Sequence, residues 1–141
     1  MKYKINLLLA VVLLAIPFIS VFAQTNTQIL DFAKAAKFDD AKEVKFLISQ
    51  GLSPNTIDSN GNPMLVLAIK DRSYGVIDVL LTAKDMDVDL SNKQGETPLM
   101  YAAINGDLPL VKTLVLKNKA QLDHIGWTPL HYACAKGHLE V

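Results

Sequence analysis

The sequence predicts an all-α repeat solenoid, a row of helix-turn-helix units joined by projecting β-turn or hairpin loops. Three observations predict it. The stretch Gly61–Lys84 overlays on Gly95–Asn118, and a third copy begins at Gly126, so Leu65, Leu99 and Leu130 fall 34 and 31 positions apart. Within a copy, Leu99, Ala102 and Ala103 recur at i, i+3 and i+4, the spacing of one helical face. Finally, the 141 residues contain one Cys, so no internal disulfide can hold the fold and apolar packing must do so.

The first element stands apart from the repeats. Lys2 and Lys4 precede an apolar run from Leu7 to Ile16, then come Pro17, Ser20 and Val21-Phe22-Ala23 before Gln24. A cationic start, a short apolar core and small residues at a break describe a secretory leader over residues 1–23, in the style of bacterial exported proteins. The apolar core is short for a ~30 Å hydrocarbon layer and Pro17 interrupts it, so an uncleaved membrane anchor is the weaker reading. No Cys follows the break, which rules out a lipid-modified Cys there. The reading places the mature protein outside the cytoplasm, in the periplasm or secreted. Loss of Lys2 and Lys4 takes the balanced formal charge to about −2. Neither value offers a field that would recommend nucleic acid, and no stable membrane insertion is expected after cleavage.

Residues 24–141 then divide into four units of about 33 residues. The first, at about 27–57, is degenerate: Ala35-Ala36 matches Ala102-Ala103, while polar Thr27, Gln28, Asp31 and Lys34 interleave with Ile29, Leu30, Phe32 and Ala33. It reads as an N-terminal cap with a wetter outer side. The second, at about 58–91, has Pro63-Met64 where the third has Thr97-Pro98. In the third, at about 92–122, Thr97 can cap a helix whose first residue is Pro98, where a missing N–H costs nothing. Gly106 suits the chain reversal, Pro109 the first turn of the second helix, and Val111, Leu114 and Val115 supply that helix with an apolar stripe. The fourth, at about 123–141, is incomplete. Its Val141 corresponds to Leu110, so the expectation is a longer natural protein or a truncated gene, and fraying over 128–141.

Thr97-Pro98-Leu99 with Ala102-Ala103 and Gly106-Asp107, and Thr128-Pro129-Leu130-His131 with Ala133 and Gly137-His138, resemble the ankyrin repeat. The resemblance covers roughly residues 27–141 and implies an ankyrin-like stack. It also implies that His131 bonds to the Thr128 hydroxyl at the helix start.

The segment Gly126–Val141 holds two of the three histidines, the single Cys and the single Trp. His131, Cys134 and His138 would cluster for a metal only on one continuous helix. Gly137 breaks that helix first, so a structural role is favoured and no metal or other cofactor is expected. Cys134 matches Ala103 and reads as a small buried hydrophobe. Cys134 and His131 lack a third group to orient them, and no glycine-rich phosphate loop or paired carboxylate accompanies them, so the chain is not read as an enzyme. Asp85, Asp87 and Asp89 alternate as in an oxygen-ligand loop. The calcium pattern also requires Gly at the sixth position and Glu at the twelfth; counting from Asp85 these are Leu90 and Glu96, so only the last fits and a solvated loop is favoured.

The resemblance places variable positions on a concave groove and on the turn tips. The groove would hold Leu67, Tyr101 and Tyr132, preceded by Asn62, Glu96 and Trp127. The tips would be Asp58-Ser59-Asn60, Asn92-Lys93-Gln94 and Asp123-His124-Ile125. Tyr and Trp are frequent anchors of protein interfaces. The expected activity is non-enzymatic binding of a protein partner. An inhibitory, cover or immunity-type domain for an enzyme or toxin, the N-terminal part of a longer multidomain protein, and a self-associating structural element are the alternatives.

Overall fold

The computed structural model describes residues 26–122 and 126–141. The expected leader and the third tip, Asp123-His124-Ile125, lie outside these. Among the described residues seven helices follow one another: α1 Asn26–Lys37, α2 Ala41–Ser49, α3 Met64–Lys70, α4 Tyr74–Leu81, α5 Pro98–Ile104, α6 Leu108–Lys112 and α7 Pro129–Lys136. A single π-type turn, Thr113–Lys117, continues α6. No strand occurs among the described residues; the sole extended pairing is the antiparallel Ile57–Pro63 bridge at the base of one turn.

The helix starts follow the expected chemistry. The Thr97 hydroxyl accepts the Met100 N–H at 3.3 Å, and Pro98 opens α5. Asp40 and Asp107 do the same service for α2 and α6, accepting from Glu43 and Leu110. At α3, where Pro63 replaces the capping Thr, no side chain takes the free N–H groups.

The first helices α1, α3, α5 and α7 pack on one another in chain order, and α2 packs on α4. One position therefore runs through the stack as Phe32, Leu65 and Leu99, all buried, with Ala35, Ala68, Ala102 and Ala133 buried one turn later. The small side chains let neighbouring helices approach closely. In the second helices Val44 and Leu47, then Ile77 and Leu80, close the back of the core. In α6 the stripe is turned relative to expectation. Leu110 and Leu114 are buried, whereas Val111 and Val115 are half-buried and line a recess of about 310 Å³ shared with Leu122 and Leu130. The π turn beyond it was not foreseen. There the Thr113 hydroxyl bonds back to the Pro109 carbonyl, a side-chain contact that loosens a helical ladder, and the Asn118 N–H reaches five residues back to Thr113.

Successive units are also tied by hydrogen bonds. Ser73 donates to the Lys37 carbonyl, Asn105 to Ile69 and His138 Nε2 to Ile104, each from one reversal to the helix end before it. The Asp39 carboxylate accepts the Val76 N–H from the next unit at 2.9 Å. Asn55 bonds Asp85 and Asp87, and Asp89 accepts from Gln121 at the same register 34 positions later. Asp89 thus belongs to a ladder between units, which alters the expectation of a purely solvated acidic loop.

Candidate partner-binding groove

The site is assembled from the turn upward. Asn92 is buried. Its Oδ1 accepts the N–H groups of Gln94 and Glu96 at 3.0 and 2.9 Å, folding the turn around itself. Its Nδ2 donates to Glu96 Oε2 at 2.8 Å. Asp58 holds the preceding turn in the same way, through the N–H groups of Asn60 and Asn62. These two residues were expected to be partner-reading tips; they are instead the internal clamps of the turns. The signal was legible, since Asp58 and Asn92 each stand three residues before a Gly, 34 positions apart.

Glu96 sits just before the α5 cap and gathers the groove. Tyr101, one turn into α5, donates its hydroxyl to Glu96 Oε2 at 2.7 Å. Tyr132 of α7 reaches Glu96 Oε1 at 3.5 Å, a long contact across 36 positions of sequence. The donors act on the carboxylate's protonation. Hydrogen bonds from Tyr101 and then Asn92 hold the Glu96 carboxyl below its ordinary range, so the group is an anion at neutral pH. Reciprocally, burial and then the Glu96 carboxylate push the Tyr101 phenol up to about 12, and the same two causes raise Tyr132.

Trp127 completes the cluster. Its ring centroid lies 5.5 Å from Tyr132, at 54° between planes, and 6.0 Å from His131. These are tilted aromatic contacts within the favourable range. Trp127 remains 58% exposed.

Glu96, Tyr101, Tyr132 and Trp127 are therefore brought together. The other expected groove residues are not part of that cluster. Asn62 turns its amide to the Asp58 carboxylate of its own turn. Leu67 is half-buried and packed against the core. Lys93 is exposed at its tip and lays its aliphatic stem across the α-carbon of Gly61.

The metal-capable trio is dispersed. His131 Nδ1 accepts from the Thr128 N–H at 3.2 Å and from the Thr128 hydroxyl at 2.8 Å, as the resemblance implied, which leaves its ring proton on Nε2. His138 follows left-handed Gly137 and faces Ile104. Cys134 is exposed, contrary to the expected buried position. Its counterpart Ala103 is buried, whereas nothing among the described residues covers the outer side of α7.

Comparison with known proteins agrees with this architecture. The family pattern described as Ankyrin repeats (3 copies) matches residues 74–141. Residues 74–141 are ankyrin repeats. The fold is accordingly an ankyrin-type all-α solenoid, into which the degenerate first unit also packs. Among similar proteins, the putative ankyrin repeat protein YahD of Escherichia coli strain K12 is 32% identical over 117 residues, covering 79% of this chain and 56% of that protein. The putative ankyrin repeat protein BB_B28 of Borreliella burgdorferi is 33% identical over 97 residues, covering 68% and 23%. The palmitoyltransferase AKR1 of Lachancea kluyveri is 35% identical over 113 residues, covering 76% of this chain but 15% of that protein. This chain thus spans 15 to 56% of the length of these curated relatives. Ankyrin repeats generally mediate protein–protein interaction. No helix among the described residues is long and apolar enough to cross a membrane.

Proposed function

We propose that this chain is a non-enzymatic protein-interaction scaffold, delivered outside the cytoplasm by its residue 1–23 leader, whose domain 24–141 binds a protein partner. The partner surface is the concave groove around Glu96, Tyr101, Tyr132 and Trp127, with the Lys93 tip and the Asn62 and Leu67 positions of the preceding unit beside it. A single observation carries this reading. Four side chains from two units converge on one face, and the Tyr101 phenol is held by a short hydrogen bond to the Glu96 carboxylate instead of rotating freely. Groups ordered before the partner arrives lose little entropy on association. Exposed aromatic area at the centre of such a face is the usual anchor of an interface.

The export reading rests on the leader sequence, and a small exported fold with a single Cys must be held by apolar packing alone. The test is affinity capture from the exported fraction with the wild type and with a Tyr101→Ala, Trp127→Ala, Tyr132→Ala variant shown by circular dichroism to be helical. The variant is expected to lose the protein that the wild type retains. Equal retention by the two would contradict the groove as the binding surface.

A further inference from the structure

Glu96 is an unusual floor for an aromatic face. Its Oε2 already accepts two hydrogen bonds, from Tyr101 at 2.7 Å and Asn92 at 2.8 Å. Its Oε1, by contrast, has one contact among the described residues, the 3.5 Å approach of the Tyr132 hydroxyl, which is at the limit of a hydrogen bond. A carboxylate oxygen can accept two bonds, so Oε1 keeps acceptor capacity on the side of Tyr132. No ion pair reaches Glu96 among the described residues. Lys70, from the preceding unit, is the smallest of the effects that lower the carboxyl. Tyr132 approaches Glu96 from the following unit, and Trp127 stacks on Tyr132 there.

The walls on that side are two π-systems at an angle. The Trp127 and Tyr132 rings are inclined at 54° with centroids 5.5 Å apart, and Trp127 is more than half exposed. An exposed indole face attracts a cation through its negative quadrupole, and Trp does so best among the aromatic residues. An anion joined to an indole face through the tyrosine between them asks for a ligand that is cationic, offers N–H donors and has a flat surface. Guanidinium meets all three conditions. An ammonium has donors but no plane, and a quaternary ammonium has neither.

We propose that the Glu96–Tyr132–Trp127 corner is a receptor for an arginine side chain presented by the partner protein, its guanidinium stacking on Trp127 and donating to Glu96 Oε1. The proposal deepens the interaction reading above and rests on it. It assigns distinct roles within the cluster. Tyr101 and Asn92 are positioning residues that aim the carboxylate through Oε2. Glu96 supplies the charge and the acceptor. Trp127 supplies the stacking face, and Tyr132 forms the adjoining wall.

Trp127 is the only Trp in the chain, so indole emission, excited selectively over the tyrosines, reports on this corner alone. The experiment titrates the full chain with three blocked tripeptides, in which a central arginine, citrulline or lysine is flanked by glycines. Citrulline keeps the planar shape of arginine and part of its N–H donor set, with a carbonyl oxygen in place of one nitrogen and no charge. The expected result is a saturable change in emission with the arginine peptide, with citrulline weaker by roughly tenfold or more and lysine intermediate. Glu96→Gln, checked for helical content, is expected to reduce arginine binding to the citrulline level. Equal binding of arginine and citrulline would overturn the proposal while leaving the groove a protein-binding surface. Equal binding of arginine and lysine would overturn the guanidinium assignment, and so would the absence of any saturable change. The three peptides act on the wild type, so the outcome stands even where Glu96→Gln proves unstable. Failure of the broader interaction reading would show separately, as unchanged capture by the triple variant.

Discussion

Helices α5 and α7 begin with nearly the same words, Thr97-Pro98-Leu99 and Thr128-Pro129-Leu130, yet their side chains meet opposite surroundings. Leu99 is 1% exposed and Leu130 is 65% exposed. Ala103 is buried, and Cys134 in the matching place is open. The local sequence is equivalent, with Thr and Pro at each start and a left-handed Gly at each reversal, although the Thr97 hydroxyl accepts the Met100 N–H and the Thr128 hydroxyl bonds His131 Nδ1. What differs is the neighbour. α7 covers α5, and nothing among the described residues covers the outer side of α7. In a solenoid, whether an apolar position is core is a property of the adjoining unit, and the residue's own pattern states only that it is ready to be covered.

The largest expected effect follows directly. Leu99→Ala should lower the unfolding free energy in urea by about 2–5 kcal/mol, the range for a buried leucine. Leu130→Ala should change it by less than about 1 kcal/mol, as for a surface substitution. Comparable losses at the two positions would break the contrast between the helices.

A smaller contrast concerns the reversals after them. Gly106 and Gly137 both have positive φ, at 65° and 76°. A Cβ at Gly106 would come within 2.6 Å of the His138 ring, whereas one at Gly137 would meet nothing within 4 Å. Gly137→Ala should cost about 1 kcal/mol from backbone strain alone. Gly106→Ala should cost more, because the imidazole that ties α7 to the Ile104 carbonyl must also move. Thermal unfolding of the two variants ranks them, and a larger loss at Gly137 would mean that the His138 tie contributes little.

The smallest effects are in the groove, where pH sharpens the picture. Glu96 has a depressed folded pKa, so its contribution to stability is present above the unfolded value of about 4.3 and is lost as pH falls through the folded one. Glu96→Gln should therefore flatten the acid limb of the stability profile. Tyr101 is shifted the other way. Its contribution is full below the unfolded value of about 10 and disappears as pH rises through about 12. Tyr101→Phe should remove a step near pH 12 from the ultraviolet titration of the tyrosines. Loss of a step near the ordinary value of about 10 instead would mean that the Tyr101–Glu96 bond does not persist in solution.

Much of this architecture was legible because its determinants are local or periodic. The Thr97 cap, the Gly106 reversal, Pro109 in the first turn of α6 and the Thr128–His131 bond each involve residues a few positions apart. The meeting of Glu96 with Tyr132 spans 36 positions, and the repeat period alone brings it into view. Three features escaped. The burial of Asn92 depends on which turn residue folds inward, and Asn is also a common exposed tip residue. The π turn depends on a Thr113 side-chain bond that any surface Thr could decline to make. The openness of Cys134 depends on what packs on the outer side of α7 among the described residues, which no pattern inside the unit records. Of the groove residues, the aromatic set converges because adjacent units repeat the same position, whereas Asn62 and Lys93 are engaged by their own and the preceding turn.

The claim beneath all of this is that each helix pair is protected by the next. Amide hydrogen exchange, resolved helix by helix on the 141-residue chain under native conditions, tests it most directly. The account predicts slowest exchange in α3 and α5, which are packed on both sides, and markedly faster exchange in α7. Protection of α7 equal to that of α5 would contradict it.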